Sequence, residues 1–241
     1  MITAAVLSAG KGTRFGSDIP KQFLEIDKIP VLVRSVDAFL KCGEISLCVV
    51  ASSEDFLSYT ETLMQKHFPN DTRIKVITGG ASRGETLLKI LEYIKDNHSL
   101  EDCILLTHDA VRPFVTRRII EENIAFCRKY GACNTCVRAT DTVLHSTDGK
   151  FLDGTLNRSE LFNAQTPQTF DAKELYGLIN GMDRDNFLSL TDGASVYLTC
   201  GKPVYIVNGE DFNIKITYRD DLILGEKILA EHFQNTDNTT A

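Results

Sequence analysis

Apolar runs alternate with amphipathic stretches along most of this chain. The runs that predict buried strands lie at 2–7, 46–51, 74–77, 103–107 and 132–139. Between them, apolar positions recur at helical spacing after residues that can begin a helix, namely Pro30, Ser53, Ser82 and Thr116. This repeated strand–helix order predicts an α/β fold: a Rossmann-like, mostly parallel sheet with helices on both faces.

The repeat stops after residue 139. Residues 140–163 have alternating apolar positions, a turn at Asp148-Gly149 and no helical period, so they predict a projecting β-hairpin arm. Such a hairpin is marginal alone, and we expect it to be stabilised by a second subunit in a homodimer. Later elements are predicted at 172–180 (helix), from Thr191 or Asp192 (helix), at 203–207 (strand) and at 218–233 (helix). We expect residues 1–233 to form one domain and the polar tail 234–241 to be disordered.

Composition and charge narrow the class of protein. Of the 241 residues, 43% are hydrophobic and 24% are charged, as in ordinary soluble globular proteins. No apolar run approaches the ~20 residues of a membrane span, and the N-terminus lacks the pattern of a signal peptide, so we expect a cytoplasmic protein without membrane attachment. The net charge of −7 argues against a nucleic-acid partner.

The seven cysteines are an odd number scattered through predicted strands and helices, which favours free thiols in a reducing compartment. Cys133 and Cys136 form a C-x-x-C pair. In the predicted strand they would point to opposite faces, so we expect neither a zinc site nor a redox pair there.

The first predicted strand leads into a glycine-rich loop with glycines at 10, 12 and 16 and cations at 11, 14 and 21. Backbone N–H groups in such a loop can approach an anionic phosphate chain, because no Cβ atoms obstruct them. The third glycine comes one residue too late for the dinucleotide fingerprint G-x-G-x-x-G, and no P-loop spacing is present. The loop therefore predicts a phosphate site of another kind.

Two further strand ends carry polar groups. Gly79-Gly80 forms a predicted turn, and Ser82 is a predicted N-cap that places Arg83 and Thr86 at a helix start, where anions are favoured. The fourth strand ends in His108-Asp109. If the first and fourth strands are neighbours, Asp109 emerges beside the glycine-rich loop, where a carboxylate can hold Mg²⁺; we expect His108 to orient that carboxylate.

The segment L-x-A-G-x-G-T-R-x-G at 7–16, followed by P-K-Q at 20–22, resembles the loop of nucleotidyltransferases. With Q-T-P-Q at 165–168 and N-I-K-I-T at 213–217, the chain resembles the polyol-phosphate cytidylyltransferases over residues 2–231. These enzymes act on 2-C-methyl-D-erythritol 4-phosphate or ribitol 5-phosphate. The resemblance implies CTP and a polyol phosphate as substrates, Mg²⁺ as cofactor, and pyrophosphate as a product.

The resemblance also implies roles for particular residues. The nucleotide-binding residues would be Leu7, Ser8, Ala9, Gly10, Lys11, Gly12, Gly79, Gly80, Ala81, Arg83, Thr86, Asp109 and Ala110. The catalytic cations would be Arg14, Lys21, Arg158 and Lys215. The acceptor would be held by Lys215, Thr166, Thr142 and Arg158, with Arg158 contributed across the dimer interface. The metal ligands would be Asp109 and Asp211.

The choice of acceptor rests on finer motifs. The erythritol-phosphate pattern has a carboxylate directly before Asn213, whereas this chain has Phe212, so the chain departs from the pattern beside the expected second metal ligand. The runs H-D-A-V-R-P-F, N-R-S-E-L-F-N-A-Q-T-P-Q and G-E-D-F-N-I-K-I-T are nearer to the ribitol-phosphate enzymes of teichoic-acid and capsule synthesis. We therefore expect ribitol 5-phosphate, with the erythritol phosphate of isoprenoid synthesis as the alternative. A sugar-1-phosphate nucleotidyltransferase using UTP or GTP and a non-catalytic nucleotide-binding regulator are the other classes.

Overall fold

A seven-stranded sheet forms the centre of the computed structural model, which describes residues 1–10, 19–190 and 192–233. The strands of the described chain are β1 (Ile2–Ser8), β2 (Glu25–Ile26), β3 (Ile29–Pro30), β4 (Leu47–Ser52), β5 (Ile74–Thr78), β6 (Ile104–Asp109), β7 (Ala132–Arg138), β8 (Leu144–His145), β9 (Gly154–Thr155), β10 (Phe162–Asp171) and β11 (Tyr205–Asn208). The helices are α1 (Val31–Leu40), α2 (Leu57–His67), α3 (Arg83–Asn97), α4 (Arg117–Tyr130), α5 (Ala172–Gly181), α6 (Arg184–Ser189), α7 (Gly193–Thr199) and α8 (Asp220–His232).

The strand order in the central sheet is β11-β7-β10-β6-β1-β4-β5. Every neighbouring pair is parallel except those made by β10, which runs antiparallel to both β6 and β7. The prediction of a Rossmann-like, mostly parallel sheet is therefore confirmed. The antiparallel strand β10 was not predicted, because its segment contains Pro167 and the ladder is interrupted by a register shift between Ala164 and Gln168.

Helices cover both faces of the sheet, as predicted, and the alternation within each strand explains why. In β1, Ala4 and Val6 pack in one buried cluster with residues of α1, α2 and α4, whereas Ala5 packs in another with residues of α3, α5 and α7. Successive strand side chains point to opposite faces, so a strand covered on both sides is apolar throughout. The sequence shows this as an unbroken apolar run rather than as alternation.

Three predicted helix starts are confirmed by their capping bonds. Ser82, Thr116 and Asp192 each accept a hydrogen bond from a backbone N–H of the first turn of α3, α4 and α7. Ser53 does not: a short 3-10 turn, Glu54–Phe56, precedes α2, and the Ser53 side chain makes no capping bond. The short helix α6 was not predicted.

The arm is a two-stranded antiparallel hairpin in which Leu144 pairs with Thr155, so the predicted hairpin is confirmed. Its turn includes Gly149, which has a φ of +69°, a value that favours glycine. Phe151 and Leu152 are 76% and 67% exposed, and the neighbouring apolar side chains of the arm are exposed as well. The tail 234–241, predicted to be disordered, lies outside the described residues.

All seven cysteines are within the described residues, and all are free thiols, as predicted. Six of them are buried, including Cys133 and Cys136, and Cys200 is exposed. None of the helices in the described ranges is long and apolar enough to cross a bilayer.

Candidate functional site

A cavity of about 290 Å³ lies at the carboxyl ends of β1 and β6. Its walls are residues 7–10, 80–83 and 109–111 together with the side chains of Lys21, Gln22, Thr86 and Lys215. We call this cavity the nucleotide pocket. Leu7 of β1 is in register with Asp109 of β6, so the two strands are neighbours, as the predicted position of Asp109 requires, and Asp109 emerges beside the end of β1.

Gly79 packs closely against the end of β1, and Gly80 packs closely within the β5–α3 turn. A Cβ atom on Gly79 would lie 2.6 Å from the Cβ atom of Ala9, and one on Gly80 would lie 2.3 Å from the Cβ atom of Glu85. Real Cβ atoms do not approach so closely, so a larger residue at position 79 would push the β5–α3 turn away from the end of β1, and one at position 80 would distort the turn itself. Gly79 therefore sets the spacing between two walls of the pocket, and Gly80 allows the shape of one of them.

The hydroxyl of Thr86 is used inside the protein. Its Oγ1 atom accepts a hydrogen bond from the N–H of Gly80 at 3.0 Å and donates to the carbonyl oxygen of Ser82 at 2.8 Å. Glu85 accepts the N–H of Ala81 at 2.8 Å. Thr86 lines the pocket, as predicted, and its hydrogen bonds stabilise the β5–α3 turn.

Asp109 lies among three cations. Arg83 Nη1 lies 2.5 Å from Oδ1 of Asp109, while Lys215 Nζ and Arg112 Nε lie 3.0 Å and 3.3 Å from Oδ2. Burial by itself raises the pKa of the Asp109 carboxyl, but the charges of Arg83, Lys215 and Arg112 outweigh it and hold that pKa well below its usual range. We call Asp109, Arg83, Arg112 and Lys215 the Asp109 cluster; it carries more positive than negative charge, which suits a polyanionic ligand.

The Asp109 carboxylate fits a magnesium ion held mainly by a nucleotide. Mg²⁺ in phosphoryl-transfer sites commonly takes one or two protein carboxylates, with phosphates and waters as its other ligands. Asp109 is ionised and lines the pocket, so it supplies one oxygen donor of the right kind. Asp211 does not line this pocket, and no group of three or more His, Cys, Asp or Glu side chains in the described ranges could hold a metal. The donor set therefore supports Asp109 and gives no support to the predicted second ligand.

Behind Asp109, two buried side chains fix its backbone. Thr166 Oγ1 accepts the N–H of Asp109 at 3.1 Å and lies 2.9 Å from Nδ1 of His108. His108 Nε2 lies 3.0 Å from the carbonyl oxygen of Arg112, which can only accept, so His108 carries its proton on Nε2 and Nδ1 accepts from Thr166. Burial lowers the pKa of His108 to about 4, so the ring is neutral.

This arrangement corrects the role of Thr166. The sequence predicts its hydroxyl as a donor to the acceptor substrate, but its proton is donated to His108 and a lone pair is occupied by Asp109, and the residue is only 4% exposed. Thr166 therefore positions Asp109. His108, expected to orient Asp109, does so through Thr166.

A second depression adjoins the nucleotide pocket. It is lined by Arg112, Arg138, Thr140, Asn163, Asp211 and Lys215, among others, and we call it the acceptor depression. Lys215 is common to both sites, because its side chain lies between them. Arg138 is held at the outer side of this depression with its guanidinium 5.1 Å from the ring centre of Phe162.

The remaining predicted residues have mixed outcomes. Lys21 lines the nucleotide pocket and donates from Nζ to the carbonyl oxygen of Ile216 at 2.9 Å. Thr142 and Arg158 belong to the exposed arm and line neither site of their own chain. The residues Lys11, Gly12 and Arg14, predicted to bind and stabilise the nucleotide, lie outside the described residues.

Gln22 was not assigned a role from sequence. Its side chain is 3% exposed, and Nε2 donates to the carbonyl oxygens of Ser8 at 2.9 Å and Gly10 at 3.4 Å. It thereby holds the end of β1 in place. The P-K-Q motif was the only sequence feature that could have indicated a role for Gln22. Its contact with the end of β1 depends on tertiary packing, which the motif does not show.

The sequence matches the family described as 2-C-methyl-D-erythritol 4-phosphate cytidylyltransferase over residues 2–231. Among solved structures, the chain is similar to 4-diphosphocytidyl-2C-methyl-D-erythritol synthase of Anaerococcus prevotii, with 27% identity, a TM-score of 0.79 and coverage of 95% of this chain and 96% of that one. The 2-C-methyl-D-erythritol 4-phosphate cytidylyltransferase of Francisella tularensis has 26% identity, a TM-score of 0.79 and coverages of 95% and 99%. The enzyme of the same name from Thermus thermophilus has 25% identity, a TM-score of 0.74 and coverages of 95% and 100%.

Proposed function

The chain belongs to the 2-C-methyl-D-erythritol 4-phosphate cytidylyltransferase family, and from that membership we propose that it transfers the cytidylyl group of CTP to 2-C-methyl-D-erythritol 4-phosphate with release of pyrophosphate. Members of this family are nucleotidyltransferases. The assignment of 2-C-methyl-D-erythritol 4-phosphate as the acceptor is supported by the family description and by the names of the similar structures. They favour the erythritol phosphate over the ribitol 5-phosphate expected from the motifs.

One observation carries the proposal: Lys215 lines both the nucleotide pocket and the acceptor depression while its Nζ atom contacts Asp109 at 3.0 Å. In this reaction an oxygen of the acceptor phosphate attacks the α-phosphorus of CTP. The acceptor phosphate must therefore lie next to the triphosphate, and a cation at the boundary can contact both. The polyol chain then extends from Lys215 into the acceptor depression.

The chain's own residues act by placement and charge. The walls at 7–10 and 80–83 position the nucleotide, and Lys21, Arg83 and Lys215 offer positive charge where negative charge increases during attack. Arg14 is assigned to the same task by its motif. No protein nucleophile is needed, because the acceptor phosphate supplies the attacking oxygen.

Enzymes of this family generally use a divalent metal, and we assign Mg²⁺ to Asp109. When bound, the ion neutralises triphosphate charge. The cations that now contact Asp109 would then be available to phosphate oxygens. Asp109 would hold the ion, and Arg83, Arg112 and Lys215 would contact the phosphates.

The homodimer stays a proposal that the exposed arm supports. Thr142 and Arg158 line neither site of their own chain, and Arg158 donates from Nη1 to the carbonyl oxygen of Thr140 at 2.9 Å within the arm. An arm that pairs with a second copy would bring these residues to the partner's acceptor depression. Arg158 would then contact the acceptor phosphate.

Pyrophosphate release tests the function directly. Purified protein with Mg²⁺ and CTP is given 2-C-methyl-D-erythritol 4-phosphate, ribitol 5-phosphate or neither, and UTP and GTP replace CTP in parallel. We expect release with CTP and the erythritol phosphate, at a higher kcat/KM than with ribitol 5-phosphate. A higher value for ribitol 5-phosphate would transfer the assignment to that acceptor. CTP binding without release from any polyol phosphate would favour a regulator.

Ribitol 5-phosphate is kept as the second candidate because of Phe212. Its ring stacks on His232 at 4.1 Å between ring centres and packs against a buried apolar cluster that includes Ile228 and Leu229 of α8. Phe212 lines neither site. The change from carboxylate to Phe212 removes a charge near Asp211 without adding an aromatic wall to the acceptor depression. The difference would therefore affect the charge of the site and leave its shape unchanged.

A further inference from the structure

Asn213 is fully buried, and its polar groups bond to several segments. Its Nδ2 atom donates to Oε1 of Gln165 and to the carbonyl oxygen of Thr166, both at 3.1 Å. Its backbone N–H donates to the carbonyl oxygen of Glu210 at 2.9 Å, and its own carbonyl oxygen accepts from Arg112 Nη1 at 2.9 Å. Asn213 thus joins the segment before α8 to β10 through its side chain, and to the turn after β6 through its backbone carbonyl oxygen.

Three routes lead from Asn213 to Asp109. Arg112, which donates to the Asn213 carbonyl, contacts Asp109 through its Nε atom at 3.3 Å. Thr166, whose carbonyl accepts from Asn213, also accepts the Asp109 N–H at 3.1 Å. Lys215, two residues along the chain, contacts Asp109 at 3.0 Å. Movement of Asn213 would therefore shift two cations and the carboxylate between them.

Gln165 is the matching half of this contact. Its Nε2 atom donates to the carbonyl oxygen of Glu210 at 2.8 Å, which leaves Oε1 to accept from Asn213. Gly209 allows the approach, because a Cβ atom there would lie 2.3 Å from Oε1 of Gln165. The Oδ1 atom of Asn213 is buried without a hydrogen-bond partner among the described residues, so the donors of the amide carry its role.

We propose that Asn213 is a positioning residue that holds Lys215 and Arg112 against Asp109, and so sets where positive charge lies between the nucleotide pocket and the acceptor depression. This rests on the proposed function for its kinetic consequence. Asn213 is among the residues that line the acceptor depression, but its side chain is fully buried and its donors bond to protein groups. A displacement of about 1 Å at a reacting centre can cost on the order of 10²-fold in rate, so loss of the Asn213 donors should reduce transfer by moving Lys215 and Arg112.

The matched control is Asn123, another fully buried asparagine. Its Nδ2 atom also makes two donations, to the carbonyl oxygen of Ile119 at 2.8 Å and to Thr135 Oγ1 at 2.9 Å, and it lines neither site. Asn213→Ala and Asn123→Ala should both lower the melting temperature. In the folded protein, Asn213→Ala should lower kcat/KM for the acceptor by about 10- to 100-fold, while Asn123→Ala stays close to wild type. Equal kinetic losses in the two variants would overturn the proposal.

A double variant tests whether the effect passes through Lys215. If Asn213 acts by placing Lys215, then Asn213→Ala should have a much smaller effect on kcat/KM in a Lys215→Ala background than in the wild type. Full additivity would contradict that route. A crystal structure of Asn213→Ala supplies a readout independent of turnover: the contact between Lys215 Nζ and Asp109 should be lost, and its retention at 3.0 Å would overturn the proposal. If the wild type transfers to no polyol phosphate, the proposed function fails while the crystal structure still tests the positioning role.

Discussion

The Nζ atom of Lys215 lies 3.0 Å from Oδ2 of Asp109, although the two residues belong to distant segments of the chain. Asp109 ends β6, and Lys215 follows β11 before the last helix. Their contact marks the boundary between the nucleotide pocket and the acceptor depression. A residue at this boundary can bring together two anions that would otherwise repel each other.

Replacing Lys215 by alanine should lower turnover by on the order of 10²–10³, because one preorganised charge is lost where negative charge develops. The chain should still fold, since the Lys215 side chain is 37% exposed. Pyrophosphate release measures the effect. Lys173→Ala removes an exposed lysine paired with Glu101 and should leave turnover near the wild-type value. Unchanged turnover in Lys215→Ala would remove this residue from the mechanism.

Gly79→Ala should weaken CTP binding, because the added Cβ atom would lie 2.6 Å from the Cβ atom of Ala9 and push the two pocket walls apart. Isothermal titration calorimetry with CTP measures the loss. Gly43→Ala is the control, since a Cβ atom there meets nothing within 4 Å. Wild-type affinity in Gly79→Ala would show that the spacing of these walls does not matter for the nucleotide.

His108 predicts a dependence of stability on pH. Burial lowers the pKa of its imidazole from 6.5 to about 4, so between these values the unfolded chain binds a proton that the folded chain does not. The contribution of His108 to the free energy of unfolding is thus complete above pH 6.5 and decreases as the pH falls toward 4, by about 3 kcal/mol in total.

The variant His108→Gln tests this prediction. Urea unfolding at several pH values should show a smaller decrease in the free energy of unfolding on acidification from pH 6.5 to 4 than in the wild type. The other four histidines are present in both proteins, so they cancel in the comparison. Equal slopes in the two proteins would contradict a neutral, buried His108.

The arm should mediate dimerisation. Phe151→Asp combined with Leu152→Asp places charge on the most exposed apolar side chains of the hairpin, which are 76% and 67% exposed, and should convert a dimer into a folded monomer. Sedimentation velocity measures the change. Ile223→Asp, at a residue that is 62% exposed on α8, should leave the dimer intact. A wild-type monomer at working concentration would refute the arm's role.

Loss of the dimer should also reduce turnover, because Arg158 would no longer reach the partner's acceptor site. Arg158→Ala alone should lower turnover while leaving the dimer intact, since Arg158 is exposed and donates to Thr140 within its own arm. Comparing Arg158→Ala with the Phe151→Asp/Leu152→Asp variant separates the loss of the arginine from the loss of the dimer. Full activity in a monomer would show that each chain carries a complete site.

Local patterns in the sequence determined most of the fold. The unbroken apolar runs of β1, β4 and β6 identified strands covered on both faces, because the alternation that marks a half-exposed strand was missing. Ser82 and Thr116 identified helix starts, because an N-cap bond involves residues only a few positions apart. The antiparallel strand β10 escaped this reasoning, since its pairing depends on β6 and β7 rather than on its own pattern.

Much of the candidate site was likewise visible in the sequence. Gly10, Gly80, Arg83, Asp109 and Lys215 all line the nucleotide pocket, and Gly79 packs against Ala9 beside it. A parallel sheet brings its strand ends together at one edge, which is why most of these residues could be expected to meet. Only the tertiary structure decided that Thr166 donates to His108 instead of a substrate, that Asp211 does not line the nucleotide pocket, and that Asn213 joins three segments. A hydrogen bond between residues far apart in sequence requires its two atoms to be placed to within a few tenths of an ångström. That placement is decided only when the helices and strands have packed.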